Sequence, residues 1–153
     1  MIKGMEVILK IMNSPVLIKI NNFIKNRLIE SIGIMLMIAS IFLLMSIISY
    51  SPSDPNFIYT PENVQIKNIL GFYGSVISDF FLQSLGLVSF LIVFNFFYWG
   101  MKISTKKMVV NFVTKSFFVF LYISFGTTAL NILDNNSFWL IDNGNGGFVG
   151  KAI

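Results

Sequence analysis

The chain ends in NGNGGFVGKAI, residues 143–153. Glycines followed by Gly150-Lys151 are the parts of a phosphate-gripping loop, in which backbone N–H groups cradle phosphates and a hydroxyl holds Mg²⁺. The spacing G-x-x-x-x-G-K-[ST] then requires glycine at 145 and Ser or Thr at 152. The residues there are Asn145 and Ala152. The preceding SFWLIDN has no strand–turn–helix context. Gly144, Gly146, Gly147 and Gly150 read instead as a flexible turn or a close backbone approach.

Other chemistry is scarce. The chain has no Cys and no His, which removes disulfides, thiol nucleophiles, Cys/His zinc sites and Ser-His-Asp triads. Asp79 can cap the N-terminus of a helix that starts beside it, where the dipole favours negative charge. The sharper reading is a catalytic carboxylate, but no second acid lies near it in sequence. No catalytic, cofactor-binding or metal-binding residue is expected.

The surroundings explain this. Of 153 residues, 55% are hydrophobic and 12% charged, with a mean hydropathy of +0.76. So small a globule cannot hide that much apolar surface; a bilayer is its natural solvent. The sequence predicts an all-α membrane protein with spans at 31–50, 80–100 and 116–133. The first apolar run is longer than a signal-peptide core and lacks an A-x-A-like site.

Basic residues set the orientation. Lys3, Lys10, Lys19, Lys25 and Arg27 precede span 1, and only Lys67 follows it before span 2. Lys102, Lys106, Lys107 and Lys115 occupy 101–115, and only Lys151 follows span 3. Residues 1–30 and 101–115 are therefore expected in the cytoplasm, and 51–79 and 134–153 outside it. Tyr98 and Trp99 fit an inner aromatic belt, and Tyr50 and Trp139 an outer one.

After Pro15, Leu17, Ile20, Ile24 and Leu28 recur at helical spacing. This predicts an amphipathic helix before span 1, lying on lipid or docking a partner protein. Pro52, Pro55 and Pro61 exclude a regular helix from the outer loop, and Asp54-Pro55 favours a turn. VQIKNILGFYGSVISD (64–79) fits a short interfacial helix turning at Gly71 and Gly74. Within the spans no side chain is ionisable, which argues against a pump or transporter. Asn95 suits a helix–helix hydrogen bond, with a ligand contact as the alternative. Gly86 with Ser89, and Gly126 with Thr127, Thr128 and Ala129, would let helices approach closely.

SYSPSDPNF (49–57) resembles the Ser-aromatic-x-Pro-x-Asp-Pro-Ser signature of the N-terminal membrane domain of FtsK/SpoIIIE-type DNA translocases, with Asn56 where Ser is common. NILGFYGSVISD (68–79) is similar to the family's N-x-x-G-x-x-G-A-x-x-A-D stretch. Asn68, Gly71, Gly74 and Asp79 match, and Ser75 and Ser78 replace alanines. GGFVG (146–150) resembles the G-G-x-x-G before the family's fourth span.

The resemblance implies a four-span domain whose fourth span is absent from this chain. It implies a bacterial inner-membrane location at the division septum, homo-oligomers (hexamers) and contacts with membrane division proteins. It also implies a cytoplasmic motor using ATP and Mg on double-stranded DNA. No Walker motif stands in residues 1–153, so the chain is expected to be a non-enzymatic fragment or truncated reading frame. Pro52, Asp54 and Pro55 would shape the outer loop; Asn68, Gly71, Gly74 and Asp79 would place span 2; Gly146, Gly147 and Gly150 would shape the return to the membrane. A small permease or channel subunit is the alternative.

Overall fold

A computed structural model describes residues 15–61, 64–106, 111–133, 140 and 143–153. Expectations on Lys3, Lys10, Lys107 and Trp139 lie outside these residues. All regular structure among them is helical: α1 (Pro15–Ile48), α2 (Gly71–Leu85), a 3-10 turn (Gly86–Val88), α3 (Ser89–Lys106), α4 (Phe112–Leu133) and α5 (Gly147–Ala152). Three stretches are long and apolar enough to cross a membrane: Pro15–Ile48, Gly71–Thr105 and Phe112–Leu133.

α1 starts on Pro15, where a missing N–H leaves no helical bond unmade. Its 34 residues give a length of about 51 Å, against a hydrocarbon core of about 30 Å. The amphipathic segment and the first span are thus one helix. No proline interrupts the ladder after Pro15, and the apolar run from Ser31 sustains it. Gly33 packs on the backbone of α3: a Cβ there would sit 2.6 Å from Ser104 N and 2.7 Å from Gly100 O. Residues 15–30 therefore run past the last turn of α3. Their apolar side chains, Ile20, Ile24 and Leu28 among them, are exposed.

α1 and α3 are antiparallel and form the main helix pair. Leu43 and Ile47 of α1, Leu82 of α2 and Val93 of α3 make a core that also takes in Tyr50 and Leu140. The second span is broken rather than continuous. Gly86, at φ 59° and ψ −143°, ends α2 in a backbone conformation that other residues rarely adopt. A break at membrane depth is tolerated only where protein satisfies the freed backbone groups. Here Leu87 N–H donates to Asn145 O at 2.9 Å, and Gly86, Val88 and Ser89 are buried. The chain after Leu140 thus folds back into the bundle. There α5 packs on α2 and α4.

Candidate functional site

The polar side chains of this chain converge at one end of the bundle, where α1 ends, α2 begins and residues 49–70 connect them. Asp54 is 3% exposed although it lies in a loop. The prolines around it keep the segment out of a helix, so its N–H and C=O groups need other partners. The Asp54 carboxylate supplies two of them. It accepts from Lys67 N–H at 3.0 Å and Asn68 N–H at 2.8 Å. Charge-assisted bonds of this kind fix the turn that returns the chain to α2.

Asn68 is the next link. Its Nδ2 donates to Ser46 O at 2.9 Å and to Ser78 Oγ at 3.3 Å, and its Oδ1 accepts from Leu70 N–H at 3.0 Å. Ser46 O belongs to the last turn of α1, where carbonyls lack helical partners. Ser46 Oγ donates to Gly74 O at 2.6 Å. A Cβ on Gly74 would run into the Asn68 side chain. One amide thus ties the end of α1 to the first turns of α2, and glycine at 74 makes room for it.

A second chain of bonds runs through Asp79. Asn56 Oδ1 accepts from Ile58 and Tyr59 N–H, closing a turn over 56–59. Asn56 Nδ2 donates to Asp79 Oδ2 at 2.9 Å. Tyr50 OH donates to Asp79 Oδ1 at 3.4 Å and accepts from Gln83 Nε2 at 3.1 Å. Asn143 Nδ2 donates to Gln83 Oε1 at 2.9 Å. Between them the two chains of bonds tie the loop to α1, α2 and the tail. Their parts suit holding backbone in place: carboxylates accept from backbone and side-chain amides and from a phenol. Among the described residues no group of three His, Cys, Asp or Glu could hold a metal ion.

Residues 25–153 match the 4TM region of DNA translocase FtsK/SpoIIIE. The chain belongs to this family. It is similar to the DNA translocase FtsK of Rickettsia bellii (strain RML369-C), 30% identical over 134 residues, or 88% of this chain and 17% of that protein. The DNA translocase FtsK of Azospirillum brasilense is 32% identical over 88 residues, 57% of this chain and 14% of that protein. That of Rickettsia prowazekii (strain Madrid E) is 31% identical over 81 residues. The chain spans about a sixth or less of the length of these relatives. No solved structure matches it. It is an inner-membrane protein with membrane-spanning helices.

In this FtsK 4TM region, the family-like residues Asp54, Asn68, Gly74 and Asp79 fall on the two bonded chains. Pro55 joins them, its carbonyl accepting from Ser75 Oγ at 2.8 Å. Pro52 is exposed on the turn between them. Gly71, at φ 65°, opens α2. The two serines that replace alanines are buried and bonded, Ser78 Oγ donating to Gly74 O at 2.8 Å. Gly146 and Gly150 lie against the Thr127 carbonyl of α4, and Gly147 against the backbone of Gly86 and Ser84. The tail shows both a turn, closed by Gly147 N–H donating to Gly144 O at 3.1 Å, and a close backbone approach.

Four expectations are corrected. Asp79 is not a helix cap. α2 begins eight residues earlier, at Gly71, because the Asp54 turn hands the chain over there, so Asp79 lies mid-helix. Gly74 is correspondingly no turn but part of α2. Tyr50 does not face an outer belt; it is 7% exposed, drawn inward by Asp79 and Gln83. Among the described residues Asn95 makes no helix–helix hydrogen bond: its Oδ1 is buried without a partner, because α3 and α4 diverge beside it. Sequence reasoning missed Ser46, Gln83 and Asn143, whose only signal was polarity beside apolar runs. It also missed Gly33 and Gly100, which mark the α1–α3 crossing.

Proposed function

We propose that this chain is the membrane anchor and self-association platform of a septal DNA translocase that couples chromosome segregation to cell division. The observation that carries the reading is the agreement between family and geometry. Residues 25–153 match the FtsK/SpoIIIE 4TM family, and four of the family-like residues, Asp54, Asn68, Gly74 and Asp79, take part in the bonds that hold the loop onto α1 and α2. Every reactive side chain in that cluster has a bonding role, which supports a rigid anchor over a catalyst. In this reading ATP, Mg and double-stranded DNA are handled by a motor outside residues 1–153, and the chain itself is non-enzymatic.

The exposed apolar faces favour assembly. α4 carries Phe117, Phe118, Phe120 and Phe125, all more than half exposed. Such faces meet lipid or other helices, and van der Waals packing between helices drives association in bilayers. The proposed assembly is a homo-oligomer, a hexamer by family resemblance, that also contacts membrane division proteins. Chemical cross-linking of the chain in native membranes tests this. A ladder of multimers ending at six supports it; a species that stays monomeric at every cross-linker concentration contradicts it.

A further inference from the structure

The helices α3 and α4 meet at their lysine-bearing ends, where Trp99 packs on Phe112 with ring centroids 5.5 Å apart. Beyond that contact they leave an open cleft. Two adjoining cavities of 300 and 340 Å³ share Asn95, Tyr98 and Tyr122. Lys102 from α3 and Lys115 from α4 line the mouth. Among the described residues no carboxylate lines either cavity. Leu91 and Phe94 line the deep end.

The polar atoms are layered. Lys102 folds back so that its Nζ lies 5.7 Å from the Tyr98 ring centroid, as helical side chains lean toward their N-terminus. Its charge is thus held near Tyr98, about one turn, or 5.4 Å, from Asn95. Asn95 Oδ1 and Tyr122 OH are buried and have no hydrogen-bond partner among the described residues. Orphaned polar groups at membrane depth cost several kcal/mol each unless a partner is supplied. The order from mouth to floor is two cations, then an amide and a phenol, then hydrocarbon.

We propose that this cleft is a binding site for one anionic phospholipid. Its phosphate lies between Lys102 and Lys115, its glycerol ester region meets Tyr122 and Asn95, and an acyl chain runs over Leu91 and Phe94. Basic pockets between spanning helices select anionic headgroups in this way. The Tyr122 hydroxyl donates to an ester carbonyl; the Asn95 amide offers both donor and acceptor to the glycerol region and its water. A zwitterionic lipid brings a compensating cation to the same mouth and gains less.

Trp99 lines the cleft and reports on it directly. The full chain carrying Trp139→Phe has Trp99 as its single tryptophan. It is reconstituted in nanodiscs with brominated phosphatidylglycerol or brominated phosphatidylcholine, and Trp99 quenching is measured. The expected result is half-maximal quenching at an about thirtyfold lower mole fraction of the anionic lipid, the scale that two lysines supply. The preference should vanish in Lys102→Gln/Lys115→Gln and persist in Lys102→Arg/Lys115→Arg. Circular dichroism and the single variant Lys102→Gln, expected to be intermediate, guard against loss of fold. Equal quenching by the two lipids, or a preference that survives the Gln variants, overturns the proposal. So does displacement by millimolar inorganic phosphate, which would mark a free-phosphate site. So does concentration-dependent shielding of Trp99 from both lipids, which would place a second copy in the cleft.

Discussion

Asn68 Nδ2 lies 2.9 Å from the carbonyl oxygen of Ser46, across 22 residues of sequence. This bond joins the last turn of α1 to the residue that leads into α2. It answers two needs at once, since helix-terminal carbonyls and buried amides each require partners.

Asn68→Leu should therefore be strongly destabilising. It removes the donor to Ser46 O and Ser78 Oγ and the acceptor for Leu70 N–H. Leaving such groups buried and unpaired costs about 1–3 kcal/mol each. The thermal midpoint of the chain in detergent, followed by circular dichroism, should fall well below that of an exposed-site control such as Tyr73→Ala. An unchanged midpoint would count against the clasp.

Asp79 tests the second chain of bonds. Asp79→Leu deletes the acceptor for Asn56 and Tyr50, while Asp79→Asn keeps an acceptor oxygen. Hydrogen bonds to charged groups contribute about 1.5–3 kcal/mol, so the order of loop protection should be Asp, Asn, Leu. Limited proteolysis of residues 49–61 reads it out. A catalytic carboxylate would not predict graded loop exposure.

The crossing of α1 and α3 gives a test on another part of the fold. A Cβ on Gly33 or on Gly100 would lie 2.7 Å from the other residue's carbonyl oxygen. Gly33→Val and Gly100→Val should each force the helices apart. Overpacking typically costs about 1–3 kcal/mol. The double variant should cost less than the sum, because both act on one contact. Additive losses would place the two glycines in separate contacts.

Gly147 and Gly86 face each other across the tail. Gly147 has φ 65°, and a Cβ there would lie 2.5 Å from Gly86 N. A non-glycine residue in that region costs about 1–3 kcal/mol before any clash. Gly147→Ala should expose the tail, seen as faster amide hydrogen exchange at Leu87. Gly126→Ala, which meets only the Val88 side chain at 3.2 Å, should be nearly silent.

The sequence makes some of this fold legible and hides the rest for physical reasons. Apolar runs bounded by charge locate the spans, because hydrocarbon tolerates few charges over about 20 residues. The motif residues Asp54, Asn68, Gly74 and Asp79 can be picked out, but their jobs cannot. Asp79 reads as a cap because α2 and the span look separate in sequence; only the Asp54 turn sets the true start at Gly71. The Gly86 break is invisible to a hydropathy window, since GLV is as apolar as its neighbours. It becomes tolerable through Asn145, which lies 58 residues after Leu87. The α3–α4 cleft is likewise hidden, because a missing contact leaves no mark on composition.

The central claim is that residues 1–153 suffice to anchor at the division site. The most direct measurement is the fluorescence distribution of the chain fused to a fluorescent protein in dividing bacteria. The predicted result is a membrane-bound signal enriched at the septum, weakened when Asn68→Leu undoes the clasp. A signal spread evenly around the membrane in septating cells, and unchanged by that substitution, would contradict it.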